Sequence, residues 1–127
     1  MSFYGLLAVG AGAAVGAWLR WWFGLLWNPV FPTLPLGTLA ANLVGGYLMG
    51  LAMAGFADHP GLLPEARLLI ATGFLGGLTT FSTFSAETVT LLLRAQYAWG
   101  AAIVGAHVAG SLVATILGIW TVKLLKG

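Results

Sequence analysis

Hydrophobic residues run through this sequence in four long stretches, each closed by a turn signal. A helix needs about 20 mainly apolar residues to cross a bilayer, and the pattern predicts four such helices, at about 3–27, 37–57, 65–94 and 97–122. The first stops at Asn28-Pro29, and Pro32 and Pro35 keep the following connection non-helical. The second ends at Asp58-His59-Pro60-Gly61, and the third opens on Pro64-Glu65, which brings proline and an acid into its first turn. Lys123 and Lys126 sit at the exit of the fourth. The short connections leave no room for a water-soluble unit, so the expectation is an all-α membrane protein with one four-helix domain over 1–127.

Composition points to the same solvent. Hydrophobic residues make up 60% of the 127 and charged residues 6%, against roughly a quarter charged in soluble domains. Five basic and three acidic side chains cannot coat a water-exposed fold, and the same poverty of charge excludes intrinsic disorder. The basic residues are scattered, so the net charge of +2 makes no footprint for nucleic acid. Absence of cysteine removes disulfides, thiolate ligands and cysteine nucleophiles. No Lys or Arg precedes the first apolar run, so the N-terminus is expected to be mature structure rather than a cleaved leader. Trp18, Trp21, Trp22, Trp27, Trp99 and Trp120, with Tyr4 and Tyr97, lie mostly toward span ends, as interfacial anchors facing membrane lipid do.

Orientation is poorly marked. With four spans, one side carries Arg67, Lys123 and Lys126 and the other Arg20 and Arg94. So small a bias permits insertion both ways round, and hence an antiparallel homodimer; discounting Arg20 as buried leaves a weak preference for cytoplasmic termini. Small residues recur four apart at Gly12 and Gly16, Gly46 and Gly50, Gly73 and Gly77, and Ala106 and Gly110, a spacing that lets helix backbones approach closely.

Candidate chemistry concentrates between Gly73 and Glu87. Thr79, Thr80, Ser82, Thr83 and Ser85 crowd five hydroxyls into mid-span just after the pair Gly76-Gly77. Glycines followed by Thr-Thr weaken a helix, and carbonyls freed at membrane depth need protein, an ion or a watery cavity to satisfy them. A break in the third span is therefore expected, with carbonyls from Gly76 to Thr79 able to meet a small hard cation; hydroxyls bonding back one turn would instead keep the helix whole. Phe81 and Phe84 share a face if the helix resumes, and their electropositive ring edges suit an anion, although packing is the ordinary role of such rings. Thr38 and Asn42 on the second span, and His107, Ser111 and Thr115 on the fourth, form inward polar stripes at helical spacing. Asn42 fits either an anion donor or a tie between helices, and His107 fits a bonded core residue better than a proton relay. Two roles suit Arg20, an interfacial anchor and a source of positive potential at a vestibule. Glu87, the one acid well inside a span, suits a cation or proton, or hydroxyl donors such as Thr38 or Thr83. No hydrolase, zinc or phosphate-loop motif is present, so an enzyme is not expected and no residue is a catalytic candidate.

The run Gly-Gly-Leu-Thr-Thr-Phe-Ser-Thr-Phe-Ser-Ala-Glu, Gly76 to Glu87, resembles the signature of the Fluc, or CrcB, fluoride channels. The resemblance extends through Gly10–Arg20, Gly37–Gly45 and Gly110-Ser111, covering essentially the whole chain. It implies a dual-topology homodimer of antiparallel subunits in a bacterial inner membrane, with two pores passing fluoride down its gradient and protecting the cell from fluoride. It also implies a central structural sodium ion on the backbone carbonyls of Gly76 and Thr79. By the same resemblance Asn42, Phe81 and Phe84 face the pore, Thr38, Ser82, Thr83, Ser111, His107 and Glu87 belong to its polar lining, and Arg20 to the vestibule. The fourth span departs from some relatives, which carry tyrosine and serine where this chain has Ile103 and His107. The alternative is a proton-coupled exporter of the small multidrug type, which uses an acid in its first span; here that span has Arg20 and no acid. A non-conducting scaffold would explain the glycines but not the mid-span hydroxyls.

Overall fold

The computed structural model describes all 127 residues and is entirely helical. Four helical stretches are long and apolar enough to cross a membrane, Phe3–Val30, Leu36–Asp58, Pro64–Leu93 and Tyr97–Lys126. Helix α1 (Phe3–Trp27) starts where the Ser2 hydroxyl accepts the Gly5 N–H at 2.9 Å, and it passes into a 3₁₀ turn at Asn28–Val30 that contains Pro29. Helix α2 (Leu36–Asp58) follows Pro35 and ends at His59, just ahead of Pro60. The third span has four parts. Helix α3 (Pro64–Arg67) widens into a π-helical stretch at Leu68–Leu75, tightens again in the single turn α4 (Gly76–Leu78), and resumes as α5 (Phe81–Leu93). Helix α6 (Tyr97–Lys126) closes the chain.

Only three residues join α5 to α6. The amide of Gln96 reaches the Leu91 carbonyl at 2.9 Å and that of Ala95 the Leu92 carbonyl at 3.0 Å, the bonds of a helix end closed by a left-handed residue. Ala95 supplies that conformation with φ of 58°.

Lipid is as apolar as leucine, so helix association rests on close packing and hydrogen bonds rather than on removing apolar surface from water. Glycine provides the closeness. A Cβ on Gly12 would fall on the Leu69 carbonyl and one on Gly77 on the Ala13 carbonyl, so α1 lies backbone to backbone against the first half of the third span. Gly50 and Gly118 likewise face the carbonyls of Thr115 and Tyr47 across α2 and α6. Both pairings ascend together in number, so α1 runs parallel to the third span and α2 parallel to α6, as alternating crossings require. Leu75, Leu78 and Ala41 are buried in the larger core, and Phe84, Leu91 and Ile103 in a second one beside α6.

Two features differ from the sequence expectation. Helix α6 continues to Lys126 instead of stopping near 122, since both lysines suit the negative end of a helix and Lys126 pairs with Asp58 at 2.7 Å. The interruption in the third span is displaced toward the C-terminus. Gly76 is helical, with φ of −63° and ψ of −38°, and the extended residues are Thr79 (φ −88°, ψ 153°) and Thr80 (φ −147°, ψ 113°). Gly77 serves contact with α1, Gly76 stays exposed, and a side chain from another helix opens the chain one step later.

Candidate functional site

That side chain is Asn42, from the middle of α2. Its oxygen accepts the Thr80 N–H at 2.7 Å and its nitrogen donates to the Thr80 carbonyl at 3.1 Å, so one carboxamide replaces both bonds that Thr80 would make in a continuous helix. Thr80 in turn starts α5: its hydroxyl accepts the Thr83 N–H at 3.1 Å and donates to the Thr83 hydroxyl at 3.0 Å. Ser82 lies exposed beside it, hydroxyl to hydroxyl at 3.3 Å.

On the other side of the break, the helix end exposes carbonyls. Arg20, half-buried on α1, donates through Nε to the Gly77 carbonyl at 3.1 Å. The Thr79 amide and hydroxyl both turn back to the Leu75 carbonyl, at 3.0 and 2.9 Å. With the Thr79 and Thr80 amides committed elsewhere, the two donors that would close the next turn onto the Gly76 carbonyl are spent, and the Thr79 carbonyl accepts no hydrogen bond. Free carbonyl oxygens are the ligands a hard cation such as sodium takes, so the chain's own donors fit that ion.

Beyond the break lies a cavity of about 450 Å³ whose lining includes Asn42, Thr79, Phe81, Phe84, His107 and Ser111. Phe81 and Phe84 meet edge to face, centroids 5.4 Å apart at 75°, with Phe81 77% exposed and Phe84 only 7%. Phe84 also stacks on the His107 ring at 4.7 Å and 28°, and His107 Nδ1 lies 2.9 Å from the Asn42 nitrogen. Ser111 is half-buried one turn further along α6, and its carbonyl accepts the Thr115 hydroxyl at 3.0 Å. Ile103, one turn before His107, is fully buried against Phe84 and Leu91 and belongs to the core.

Glu87 stands one turn beyond Phe84. Of the two hydroxyl donors expected for it, Thr38 reaches the carboxylate at 2.6 Å, whereas Thr83 bonds Thr80. Thr38 is steadied by Asn28, whose oxygen accepts the Thr38 N–H at 3.0 Å. Asn28 and Thr80 are the site residues that sequence reasoning passed over. Asn28 reads there as part of a turn before Pro29, and Thr80 as one hydroxyl in a run; a threonine directly ahead of Phe81 was the available sign of a helix cap.

Residues 7–119 match the family model described as CrcB-like protein, Camphor Resistance (CrcB). The chain belongs to the CrcB family. Among similar proteins, the fluoride-specific ion channel FluC of Nitrosospira multiformis is 70% identical over 125 residues, covering 98% of each chain. FluC of Thiobacillus denitrificans is 63% identical over 120 residues, 94% of this chain and 97% of the relative. FluC of Ralstonia nicotianae is 60% identical over 125 residues, 98% of this chain and 99% of the relative. Four apolar spans in a CrcB protein make this an integral multi-pass membrane protein.

Proposed function

We propose that this CrcB protein is a fluoride-selective channel that lets cytoplasmic fluoride leave passively down its electrochemical gradient and so protects the cell. One observation carries the reading: the wall of the cavity beside the break sets hydroxyls, an imidazole and two phenylalanine rings among apolar side chains such as Met49, Leu75 and Leu112, with no cationic side chain. Fluoride is small and strongly hydrated. A path for it must replace water with neutral donors and ring edges that attract the ion without trapping it. The relatives named as fluoride-specific channels match over nearly their whole length, which supports carrying their substrate to this chain.

The working unit is an antiparallel, dual-topology homodimer of single four-helix domains with two pores. The near balance of basic residues on the two sides supports insertion in both orientations. Pairing two copies about the exposed Gly76 brings four free carbonyls together, from Gly76 and Thr79 of each. Sodium bound there would supply a fixed positive potential at the centre of the assembly. Arg20 donates to the Gly77 carbonyl, Asn42 holds Thr80 extended, and Thr38 keeps the Glu87 carboxylate in place, while Phe81, Phe84, Ser82, Thr83 and Ser111 face the ion's route.

The test is efflux from liposomes containing purified protein, with a potassium ionophore clamping charge and electrodes reading fluoride and chloride in parallel. Rapid fluoride loss with chloride retained is expected. Chloride loss at a similar rate, or no fluoride loss from folded protein, refutes the proposal.

A further inference from the structure

We propose that the slot between the C-terminal ends of α2 and α6 binds one anionic phospholipid, with its phosphate on Lys123 and Lys126 and the upper part of an acyl chain against the apolar walls behind them. The inference is independent of which ion the protein conducts.

Small side chains make the slot. Helices α2 and α6 touch backbone to backbone at Gly50 and Gly118, and one to two turns further on α2 brings Ala54 and Ala57 to the same seam. Side chains of one carbon do not fill the space between two helices, and a cavity of about 280 Å³ is left, walled by Met53, Ala54, Ala57, Ile119 and Val122. Met53 and Ala57 are exposed, so the slot opens on the outside of the four-helix domain. Walls with no atoms opposite them forfeit dispersion contacts, and an acyl chain restores these.

Depth and charge select the headgroup. Trp120, 58% exposed, stands one turn before Lys123, and an exposed indole beside a basic residue marks the level at which hydrocarbon gives way to headgroups. The mouth of the slot is formed by Asp58, Lys123 and Lys126. Lys126 donates to Asp58 Oδ1 at 2.7 Å, whereas Lys123 is exposed and pairs with no carboxylate. Two ammonium groups against one carboxylate leave one positive side-chain charge, equal and opposite to that of a single phosphodiester. An ammonium carries three donors, so Lys126 holds Asp58 and still has hydrogens for a phosphate oxygen. A zwitterionic lipid brings a cation of its own, and the one carboxylate at the mouth is already matched, so the site favours a lipid whose headgroup carries the phosphate charge alone.

The experiment is native mass spectrometry of the purified whole chain with dioleoylphosphatidylglycerol or dioleoylphosphatidylcholine added. The first phosphatidylglycerol adduct is expected at several-fold lower lipid concentration than the first phosphatidylcholine adduct. Lys123→Gln should weaken phosphatidylglycerol binding about fivefold, the effect of one basic residue at an anionic membrane surface, and Asp58→Asn, which frees Lys126, should strengthen it by a similar factor. Arg94→Gln removes the same charge at the corner between α5 and α6, on the opposite side of the membrane, and should change nothing. Ala57→Leu fills the slot, leaves every charge in place and should abolish the preference for phosphatidylglycerol. Equal binding of the two lipids, an equal loss in Arg94→Gln or no gain in Asp58→Asn overturns the site. Undiminished binding in Ala57→Leu also overturns it, by reducing it to general attraction between basic residues and anionic lipid. A changed oligomeric state in Ala57→Leu would give the slot to a second copy of the chain instead of a lipid. Lys123→Gln and Asp58→Asn alter only charge at the surface and keep the test decisive should Ala57→Leu fail to fold.

Discussion

Replacing Asn42 with alanine removes the side chain that holds the third span open, and the structure sets the scale of the loss. Three hydrogen bonds disappear, to the Thr80 N–H at 2.7 Å, the Thr80 carbonyl at 3.1 Å and His107 Nδ1 at 2.9 Å. An orphaned buried polar group costs about 1–3 kcal/mol. Measured side-chain bonds within membranes are smaller, averaging about 0.6 and reaching about 1.7 kcal/mol, because the opened state finds other partners. The two of these bonds that hold Thr80 come on that scale to about 1–3.5 kcal/mol. That cost falls on one place, since Thr79 and Thr80 have no other bond to α2. Local opening should therefore become about 5- to 300-fold more populated, at about 1.4 kcal/mol per tenfold. Amide hydrogen exchange on protein in bilayers reads this directly, comparing Thr80 with amides in the middle of α6 as an internal reference. Asn42→Asp keeps the acceptor for the Thr80 N–H and should give a smaller increase. Unchanged exchange at Thr80 would refute the clamp, and acceleration shared equally by α6 would show that Asn42 supports the whole bundle rather than the break.

Gly16→Leu should abolish folded, monodisperse protein on size-exclusion chromatography, because even its Cβ would meet the Phe74 carbonyl, whereas Gly10→Ala, with open space around it, should be silent. Phe81→Ile and Phe84→Ile should each reduce fluoride flux in the liposome assay, and Phe84→Ile should also lower thermal stability, by about 1–2 kcal/mol, since Phe84 is only 7% exposed within its own chain. Lys126→Ala removes an ion pair whose side chains are 59% and 28% exposed, so it should change stability by less than about 1 kcal/mol, and less still in high salt. Protein extracted and reconstituted throughout in N-methylglucamine instead of sodium should melt at lower temperature, and recovery of the melt on adding sodium but not potassium would tie the loss to the free carbonyls.

Much of this architecture is written locally. Four apolar stretches punctuated by Asn28-Pro29, Asp58-His59-Pro60 and the Arg94–Gln96 corner predict four spans at nearly the observed limits. The crowd of hydroxyls from Thr79 to Ser85 marks where the third span fails to continue, and the spacing of Gly12, Gly16, Gly73 and Gly77 marks close approach. These features are legible because hydropathy, propensity and small-residue spacing are properties of neighbours along the chain, and bilayer thickness sets the length over which they count.

The site itself depends on pairings that neighbours do not encode. Thr80 is held extended by a residue 38 positions earlier, and the Gly77 carbonyl is taken by one 57 positions earlier. Which threonine opens the helix, which oxygen of Glu87 meets Thr38, and which nitrogen of His107 faces Asn42 all depend on the rotation and register of α1, α2 and α6 around the third span. Glycine contacts set that register to within a turn of helix, and hydrogen bonds, which fail beyond a few tenths of an ångström or a modest misalignment, then select among the polar groups it brings into reach. The sequence alone determined that the chain crosses the membrane four times and where its third crossing weakens; tertiary structure decided which groups are satisfied there and which remain free, because only packed helices bring distant donors and acceptors to bonding distance.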